Sequence, residues 1–411
     1  QSGVASQAKY YFKQSLIQEA AYESVLRSRR QQLHLQIARA LEEQFPAVAE
    51  NEPELLARHC MAANLKEKAI VYWQRAGDMA VKRSANKEAI SHLTMGLDLL
   101  KTLPDGAERA RQELTMLATL GAALIATKGY SAPEVERGII RARELCGQLG
   151  ETPQLFPAIF KLCVYWLLRG ELRTAQEIGE QLVHLARTAN DPDLLLEAHN
   201  GLGSALFYLG ELIPAREHFA KTSEIYDPKR HSSHAFIYGL DPGVLGLSYD
   251  ARALGYLGYL EQARARMEQA LTLARNITHP FTLASAWHCA GEVHRQRGEA
   301  QATLECAERE LELAREQGFP LWIALAQIYR GWALARLGHH EEALATIPRG
   351  IADYRATGAE MAVPIFLGLL AEAYDQAGQT DEGLRVLAEA TAIVQRTDDR
   401  SSGAADLYRL R

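Results

Sequence analysis

The sequence predicts an all-α fold in which pairs of helices repeat along the chain with a period of about 40 residues. Three observations lead to this prediction. Ala, Leu, Glu, Arg and Gln, which favour helices, dominate the 411 residues, and only 14 residues are proline. No run of valine, isoleucine and threonine alternates with the period of a strand. A glycine that follows long side chains recurs every 40 or 41 residues, apart from one step of 48.

The recurring glycines set the register of the repeat. They are Gly129, Gly170, Gly210, Gly258, Gly298, Gly338 and Gly378. Each stands where a helical pattern ends, and glycine suits a left-handed residue there because a Cβ atom would clash. A small residue stands seven positions before most of these glycines, and another stands five positions after most of them. We therefore expect two antiparallel helices that approach each other closely around each glycine.

Prolines mark where the first helix of a pair begins. Pro192, Pro280 and Pro320 each open a helical pattern, and proline is tolerated in the first turn because its missing N–H would have no partner there. Second helices carry apolar residues at helical spacing, as Ala263 and Met267 do. Both ends of each pair are thus predicted from local signals.

The triplet of small residue, turn glycine and small residue resembles the tetratricopeptide pattern, with helices slightly longer than usual. This resemblance implies a right-handed superhelical solenoid whose concave face is lined by the first helices. HEAT-type repeats have a compatible period, so the period alone leaves both architectures open. The triplet favours the tetratricopeptide type.

The single 48-residue step contains eight extra residues, within 227–243. Insertions in solenoids form loops at one edge and often bind ligands, so a loop is expected here. Asp227, His231, His234 and Asp241 offer metal-ligand chemistry in this segment. A plain polar loop is the favoured interpretation, and no metal site is predicted.

Composition argues against several classes of function. The net charge is −6 with both signs interspersed, whereas nucleic-acid binding needs a concentrated basic patch. The one basic cluster, at Arg27, Arg29 and Arg30, is typical of a solvated helix face. No apolar stretch has the roughly 18–20 residues that span a membrane. Five scattered cysteines without a CxxC spacing indicate reduced thiols and a cytoplasmic location.

Catalytic motifs are absent from the sequence. It has no GxxxxGK[ST] phosphate loop and no HExxH metal motif. The glycines of 201–203 lie inside a predicted helix and are explained by packing, and 339–342 (HHEE) is expected to start a second helix. No Ser/His/Asp or Cys/His set stands out, so this chain is predicted not to be an enzyme and to need no cofactor.

The repeat register also selects a candidate groove on the first helices, at positions 13, 10, 6, 3 and 2 before each glycine. The candidate ligand-binding residues are Asn200, Tyr208, Arg252, Tyr256, His288, Glu292, Arg295, Trp332 and Arg336, and the same register adds Ser204, Phe207, Ser248, Glu372 and Asp375. Mixed polar, aromatic and charged side chains suit a peptide or a small ligand. For any single residue a solvated or inter-repeat packing role is favoured, and for the groove as a whole both interpretations stay open.

Two sets of segments carry a resemblance to a known family. The first set is 11–26 (YFKQSLIQEAAYESVL) and 29–34, and the second is 73–77, 129–134, 152–156, 239–244 and 317–322. They resemble large bacterial signalling proteins in which a class III adenylate/guanylate cyclase domain and an AAA/STAND-type ATPase precede a tetratricopeptide region. The first set resembles the segment that closes the ATPase module, and the second resembles the repeat region.

This resemblance implies a division of the chain. Residues 1–46 would be the tail of an ATPase-associated domain, helical with room for one short strand, and 47–411 the repeat solenoid. The solenoid would be a non-catalytic sensor or scaffold that binds a protein, peptide or small effector in its groove and regulates the upstream ATPase in cis.

The alternative is a self-association scaffold that holds the parent protein in an oligomeric or autoinhibited state. The chain begins without methionine and ends within an amphipathic pattern. We therefore expect it to be part of a longer protein, and the resemblance implies that this protein is an ATPase, a nucleotide cyclase or both.

Overall fold

A computed structural model describes residues 22–129, 132–149 and 155–397, together with Leu407. These residues form helices joined by short turns, and no strand occurs among them. By internal contacts the chain divides into two compact units, one of residues 1–76 and 94–103 and the other of residues 77–93 and 104–411.

The smaller unit is built from the first helices of the chain. These are α1 (Arg27–Glu43), α2 (Pro46–Asn51), α3 (Pro53–Ala62) and parts of α4 (Lys66–Lys82) and α5 (Asn86–Leu100). The Glu42 carboxylate joins α1 to α4 by accepting hydrogen bonds from Tyr72 Oη and Lys68 Nζ, each at 2.8 Å. Residues 1–21, which include most of the segment at 11–26, lie outside the described residues, and the boundary after residue 46 stays a prediction.

The larger unit contains the helix pairs. The helices are α6 (Ala107–Lys128), α7 (Pro133–Leu149), α8 (Phe156–Leu168), α9 (Leu172–Ala189), α10 (Pro192–Tyr208), α11 (Leu212–Ile225), α12 (Pro228–His231), α13 (His234–Tyr238), α14 (Pro242–Tyr256), α15 (Leu260–Asn276), α16 (Pro280–Gln296), α17 (Ala300–Gln317), α18 (Pro320–Arg336), α19 (His340–Ala356), α20 (Val363–Gln376) and α21 (Thr380–Thr397). All seven register glycines lie between the two helices of a pair, with φ between 73° and 89°. The predicted left-handed turns are confirmed.

The predicted helix starts are also confirmed. Pro192, Pro280 and Pro320 each occupy the first turn of a first helix. At α10 the Asp191 carboxylate caps the helix by accepting hydrogen bonds from the backbone N–H groups of Asp193 and Leu194. Such a cap satisfies two N–H groups that otherwise have no partner within the helix.

The small residues of the register allow the two helices of a pair to touch. A Cβ atom on Gly203 of α10 would lie 2.7 Å from Cε1 of Phe219 on α11, and one on Gly331 of α18 would lie 2.5 Å from Cγ1 of Ile347 on α19. The packing interpretation of the glycines at 201–203 is thereby supported. Because the same closely packed pair recurs along the unit, the prediction of an all-α solenoid of tetratricopeptide-like pairs is confirmed.

The eight-residue insertion is helical where a loop was expected. It forms the short helices α12 and α13, and α13 contacts α6 and α8. An ion pair and a hydrogen bond hold it against α10: Arg230 Nη2 lies 2.8 Å from Asp193, and His234 Nδ1 lies 2.8 Å from Glu197 Oε1. Contacts with residues outside the insertion thus stabilise these two short helices, which the sequence of the insertion does not by itself predict.

The segment between α19 and α20 contacts the C-terminal ends of α6 and α8. After α19, the backbone N–H groups of Glu360 and Met361 both donate to the carbonyl of Leu168, at 2.8 and 3.2 Å. A Cβ atom on Gly129 would lie 2.8 Å from Cα of Thr357. Segments that are 192 and 228 residues apart in sequence therefore contact each other, which the 40-residue period does not predict.

Candidate ligand-binding site

The nine candidate residues fall into two groups in the structure. One group is buried in the array, and the other lines a cavity at the ends of the first helices. The buried group is Asn200, Tyr208, Arg252, His288 and Glu292; the cavity group is Tyr256, Arg295, Trp332 and Arg336. The ligand-binding role of both groups stays a prediction, but the two groups differ in what their side chains contact.

Arg252 is at the centre of the buried group. Its Nε lies 2.8 Å from Glu292 Oε2, and both side chains are at most 4% exposed. Its Nη2 donates to the Tyr208 hydroxyl at 3.1 Å. The guanidinium carbon also lies 4.6 Å from the ring centre of Phe207 and 4.7 Å from that of Tyr249, within cation–π range. Protein groups therefore surround this cation.

The charge of Glu292 depends on these neighbours. Burial raises its pKa, but the positive charges of Arg252 and Arg295 outweigh burial, so the pKa lies below its usual value. The Tyr256 hydroxyl donates to Oε1 at 3.0 Å. Glu292 is thus an ionised carboxylate that links α14 to α16.

His288 and Asn200 also lie among protein groups, although only Asn200 has hydrogen bonds to them. His288 Nδ1 lies 3.6 Å from Glu310 Oε1, and its ring packs edge-on against Tyr329 at 5.0 Å. Burial raises the pKa of Glu310 despite the nearby imidazole. Asn200 donates to the Pro242 carbonyl at 3.0 Å and accepts from the Thr222 hydroxyl at 3.1 Å. These contacts are what the packing interpretation predicts for single residues.

The cavity group lies around an open space of about 640 Å³. Its walls come from the C-terminal ends of α14, α16, α18 and α20 and from the start of α21. The first-helix residues that line it include the register positions Tyr256, Arg295, Trp332, Arg336, Glu372 and Asp375. A cavity of this size is within the range of about 300–1,000 Å³ typical of small-molecule sites.

Arg295 is the least satisfied cation of the cavity. Its Nε and Nη2 are buried, yet neither has a hydrogen-bond partner among the described residues. A buried donor without a partner costs free energy, and a guanidinium group pairs best with a carboxylate or phosphate. Arg295 is therefore well suited to an anionic group of a ligand.

The other cavity residues add an aromatic surface and both signs of charge. Trp332 Nε1 donates to Glu372 Oε2 at 2.8 Å, which fixes the indole ring. The guanidinium carbon of Arg336 lies 5.9 Å from the centre of that ring. With Arg297 and Asp375 also in its lining, the cavity offers three arginines and two carboxylates, so it can receive a ligand that carries both an anionic and a cationic group.

Two cavity residues escaped the sequence analysis. The side-chain oxygens of Gln296 and Gln376 are buried there without a hydrogen-bond partner in the described part of the chain. Both residues stand two positions before a turn glycine, as Tyr256 and Arg336 do, so the register itself contained the signal. Thr380 and Leu384 also line the cavity but come from a second helix, which the register does not select.

The insertion does not gather its histidines and carboxylates around one point. His231 contacts Asp193, His234 contacts Glu197, and Asp241 caps α14 by accepting from the Val244 N–H. Across the described ranges, no group of three or more His, Cys, Asp and Glu side chains could hold a metal ion. In the same ranges, no helix is both long and apolar enough to cross a membrane.

Comparison by sequence finds a relative that is longer than this chain. No family model matches the chain. An uncharacterized protein of Rhizobium meliloti (strain 1021) is 26% identical over 411 residues, which cover 99% of this chain and 40% of that protein. The chain therefore spans about 40% of the length of the relative it matches.

Comparison by structure identifies the fold. A Rap protein complexed with competence and sporulation factor superimposes with a TM-score of 0.56 and 14% identity, over 84% of this chain and 96% of that one. Aspartyl phosphate phosphatase F from Bacillus subtilis gives a TM-score of 0.52 and 10% identity, over 80% and 95%. At these identities the likeness establishes the helical-repeat fold.

Proposed function

We propose that this chain is the sensor region of a longer bacterial signalling protein and binds a peptide in the cavity around Arg295. The observation that carries the proposal is the Arg295 guanidinium, which has two buried nitrogens without a hydrogen-bond partner among the described residues, beside a cavity of about 640 Å³. A protein segment or a small effector with the same end groups would use the same contacts. Arg252 is a poorer candidate, because its Nε lies 2.8 Å from Glu292 Oε2 in an ion pair and its Nη2 donates to the Tyr208 hydroxyl.

The chemistry of the cavity suits a peptide terminus. A free carboxylate would pair with Arg295, the Trp332 ring offers an apolar surface, and Glu372 and Asp375 would attract a cationic group of the same ligand. The Rap protein that shares the fold is complexed with competence and sporulation factor. That complex supports the idea that such an array binds a partner, and the cavity residues suggest where this one would do so.

The proposed signalling role rests on the chain's context. The relative is much longer than this chain, which covers 40% of it. The segment at 11–26 resembles the end of an ATPase module, so the upstream domain would be an ATPase, a nucleotide cyclase or both. Five free cysteines, four of them buried, support a reducing compartment, and we place the protein in the cytoplasm.

Affinity selection tests the binding role. The immobilised chain is mixed with a library of random tetrapeptides, half with a free C-terminal carboxylate and half with a C-terminal amide, and the retained peptides are measured by mass spectrometry. We expect enrichment of the free carboxylates. Replacement of Arg295 by Met should abolish the enrichment, because the methionine keeps much of the side-chain length but removes the charge.

The matched control is Arg173→Met, which removes an exposed arginine of α9 that pairs with Glu211. It should bind like the wild type. Equal retention of carboxylate and amide peptides would contradict the proposed role of Arg295.

A second measurement addresses the parent protein. In the full-length protein, an enriched peptide should change the rate of nucleotide hydrolysis or cyclisation, and the Arg295→Met variant should not respond. Light scattering on the fragment distinguishes the alternative. A stable dimer that forms equally with and without the peptide would favour the self-association scaffold over the sensor.

A further inference from the structure

A second cavity of the larger unit, of about 590 Å³, shares no residue with the first. It lies between α4, α6, α8 and the inserted helix α13. Its lining includes Asp78 and Lys82 of α4, Arg111 of α6, Lys161 of α8 and Phe236 of α13. The repeat register predicts none of these as ligand-binding residues.

Lys161 is the chemically unusual residue of this cavity. It is the one charged residue in α8, which reads FPAIFKLCVYWLL. Its Nζ donates a hydrogen bond to the carbonyl of Ala118 on α6. A lysine within an otherwise apolar helix is costly unless its ammonium group has a counter-ion.

The protein itself supplies only one nearby carboxylate among the residues that line this cavity. Asp78 accepts a hydrogen bond from the Thr119 hydroxyl at 3.2 Å, and its charge acts on Lys161 through space. Three cations line the cavity, at Lys82, Arg111 and Lys161, against this one carboxylate. The cavity therefore carries an excess of positive charge that a bound anion would neutralise.

The remaining walls are mostly apolar. Val81, Leu114, Leu155, Pro157, Ala158, Phe236 and Ile237 surround the space. Such walls favour a ligand with an apolar body, because burial of that body away from water is favourable. One anionic head against Lys161 and an apolar remainder fit both features at once.

The inserted helices form one wall of this space. Ser233, Phe236 and Ile237 all come from the eight-residue insertion's segment. Phe236 is fixed by an edge-on contact with His279 at 5.0 Å, and Tyr238 packs edge-on against Phe160 of α8 at 5.1 Å. The break in the repeat thus builds part of a cavity rather than an exposed loop.

We propose that this second cavity binds a small monocarboxylate with an apolar body, whose carboxylate pairs with the Lys161 ammonium group. The assignment rests on the apolar walls, the excess of positive charge and the place of Lys161 in α8. It gives the insertion a function, namely to close the site over the ligand.

Protonation of Lys161 is coupled to this binding. Burial lowers its pKa to about 7 even though Asp78 acts in the opposite direction. The other titratable or charged groups that face it or line the adjoining space are Lys82, Arg111, Tyr238 and His279. A bound carboxylate stabilises the ammonium form and raises the pKa, so binding at pH 7 should take up about half a proton.

Isothermal titration calorimetry with two probes, 3-phenylpropionate and decanoate, tests the proposal. We expect at least one to bind, while its carboxamide, equal in shape but uncharged, binds about tenfold more weakly or worse. Titrations in buffers of different ionisation enthalpy should report the proton uptake. Failure of both acids to bind, or equal binding of acid and amide, would overturn the proposal.

Variants locate the site. Lys161→Met should reduce the affinity about tenfold or more, whereas Lys128→Met, which removes an exposed lysine of α6 paired with Glu134, should leave it unchanged. Lys161→Arg keeps a permanent positive charge, so it should retain binding and lose the proton uptake. Circular dichroism confirms that each variant is folded. If a folded Lys161→Met variant bound the acid with wild-type affinity and took up the same amount of proton, the carboxylate would lie elsewhere and the assignment would be wrong.

Discussion

Two arginines on neighbouring first helices have opposite surroundings. Arg252 of α14 contacts Glu292, Tyr208 and two aromatic rings within the array. Arg295 of α16 keeps two buried nitrogens without a partner among the described residues and lines an open cavity. Glu292 lowers the cost of both charges, but only Arg252 contacts it directly. One face of a repeat array can therefore hold both a structural cation and a cation that is available to a ligand.

The largest expected loss of stability follows replacement of Arg252, the arginine that pairs with Glu292. Arg252→Met should lower the free energy of unfolding by about 3 kcal/mol, because it leaves the Glu292 carboxylate buried without its contact partner. Urea denaturation followed by circular dichroism measures the change. A loss below about 1 kcal/mol would show that Arg295 and His288 compensate, and would remove the contrast between the two arginines.

The same pair predicts a dependence on pH. The pKa of Glu292 lies below its usual value in the folded protein, so its contribution to stability is present above the unfolded pKa and is lost as the pH falls through the folded one. The stability difference between wild type and Arg252→Met should therefore shrink as the pH drops from 7 to below about 4.5. Urea titrations across this range measure it, and a constant difference would contradict the role assigned to the charge.

The contact between the two helices of a pair is closer at Gly203 than at Gly291. A Cβ atom on Gly203 would lie 2.7 Å from Phe219, whereas one on Gly291 would lie 3.5 Å from Cys306. Gly203→Ala should therefore destabilise the fold by about 1–3 kcal/mol through overpacking. Gly291→Ala, its matched control, should be neutral or stabilising by up to about 1 kcal/mol, because alanine favours helix. Thermal denaturation compares them, and equal losses would contradict the difference in packing.

Arg295→Met should change stability much less than Arg252→Met. Its buried nitrogens already lack hydrogen-bond partners in the described part of the chain, so removing them breaks no hydrogen bond there. The substitution also removes part of the free-energy cost of burying a charged group. We expect a change within about 1 kcal/mol of zero by urea denaturation, together with loss of peptide binding. A loss as large as that of Arg252→Met would make Arg295 a structural residue instead.

The smallest effect on stability is expected for Arg336→Met. Arg336 is exposed, and its contact with Trp332 spans 5.9 Å, so the free energy of unfolding should change by at most about 0.5 kcal/mol. Peptide affinity should fall less than in Arg295→Met, because Arg336 is solvated before binding. Fluorescence anisotropy with an enriched peptide ranks the two variants, and the reverse order would assign the anchor to Arg336.

The sequence predicted the fold more fully than the site. The turn glycines and the prolines at 192, 280 and 320 are local signals, and each lies where the pattern expects it. The register also selected Arg295 and Trp332, which line the cavity, together with Arg252 and Glu292, which pair with each other. It could not separate the two groups, because helical position fixes the face of a residue but not what the next helix places opposite it.

The site around Lys161 also could not be predicted from the sequence. Its place as the one charge in an apolar helix is visible in the sequence, but the cavity beside it forms only where α4, α6 and α13 meet α8. The helical insertion and its contacts with α6 and α8 likewise depend on partners outside the segment.

The helix pairs, their turns and their register can be read from the sequence, because caps, left-handed glycines and helical periodicity act within a few residues. Three features depend on tertiary packing instead: the pairing of Arg252 with a carboxylate, the position of the insertion, and the hydrogen bonds from the backbone of Glu360 and Met361 to Leu168. These contacts join residues 40 to nearly 200 positions apart, and their geometry depends on how every intervening pair packs on the next.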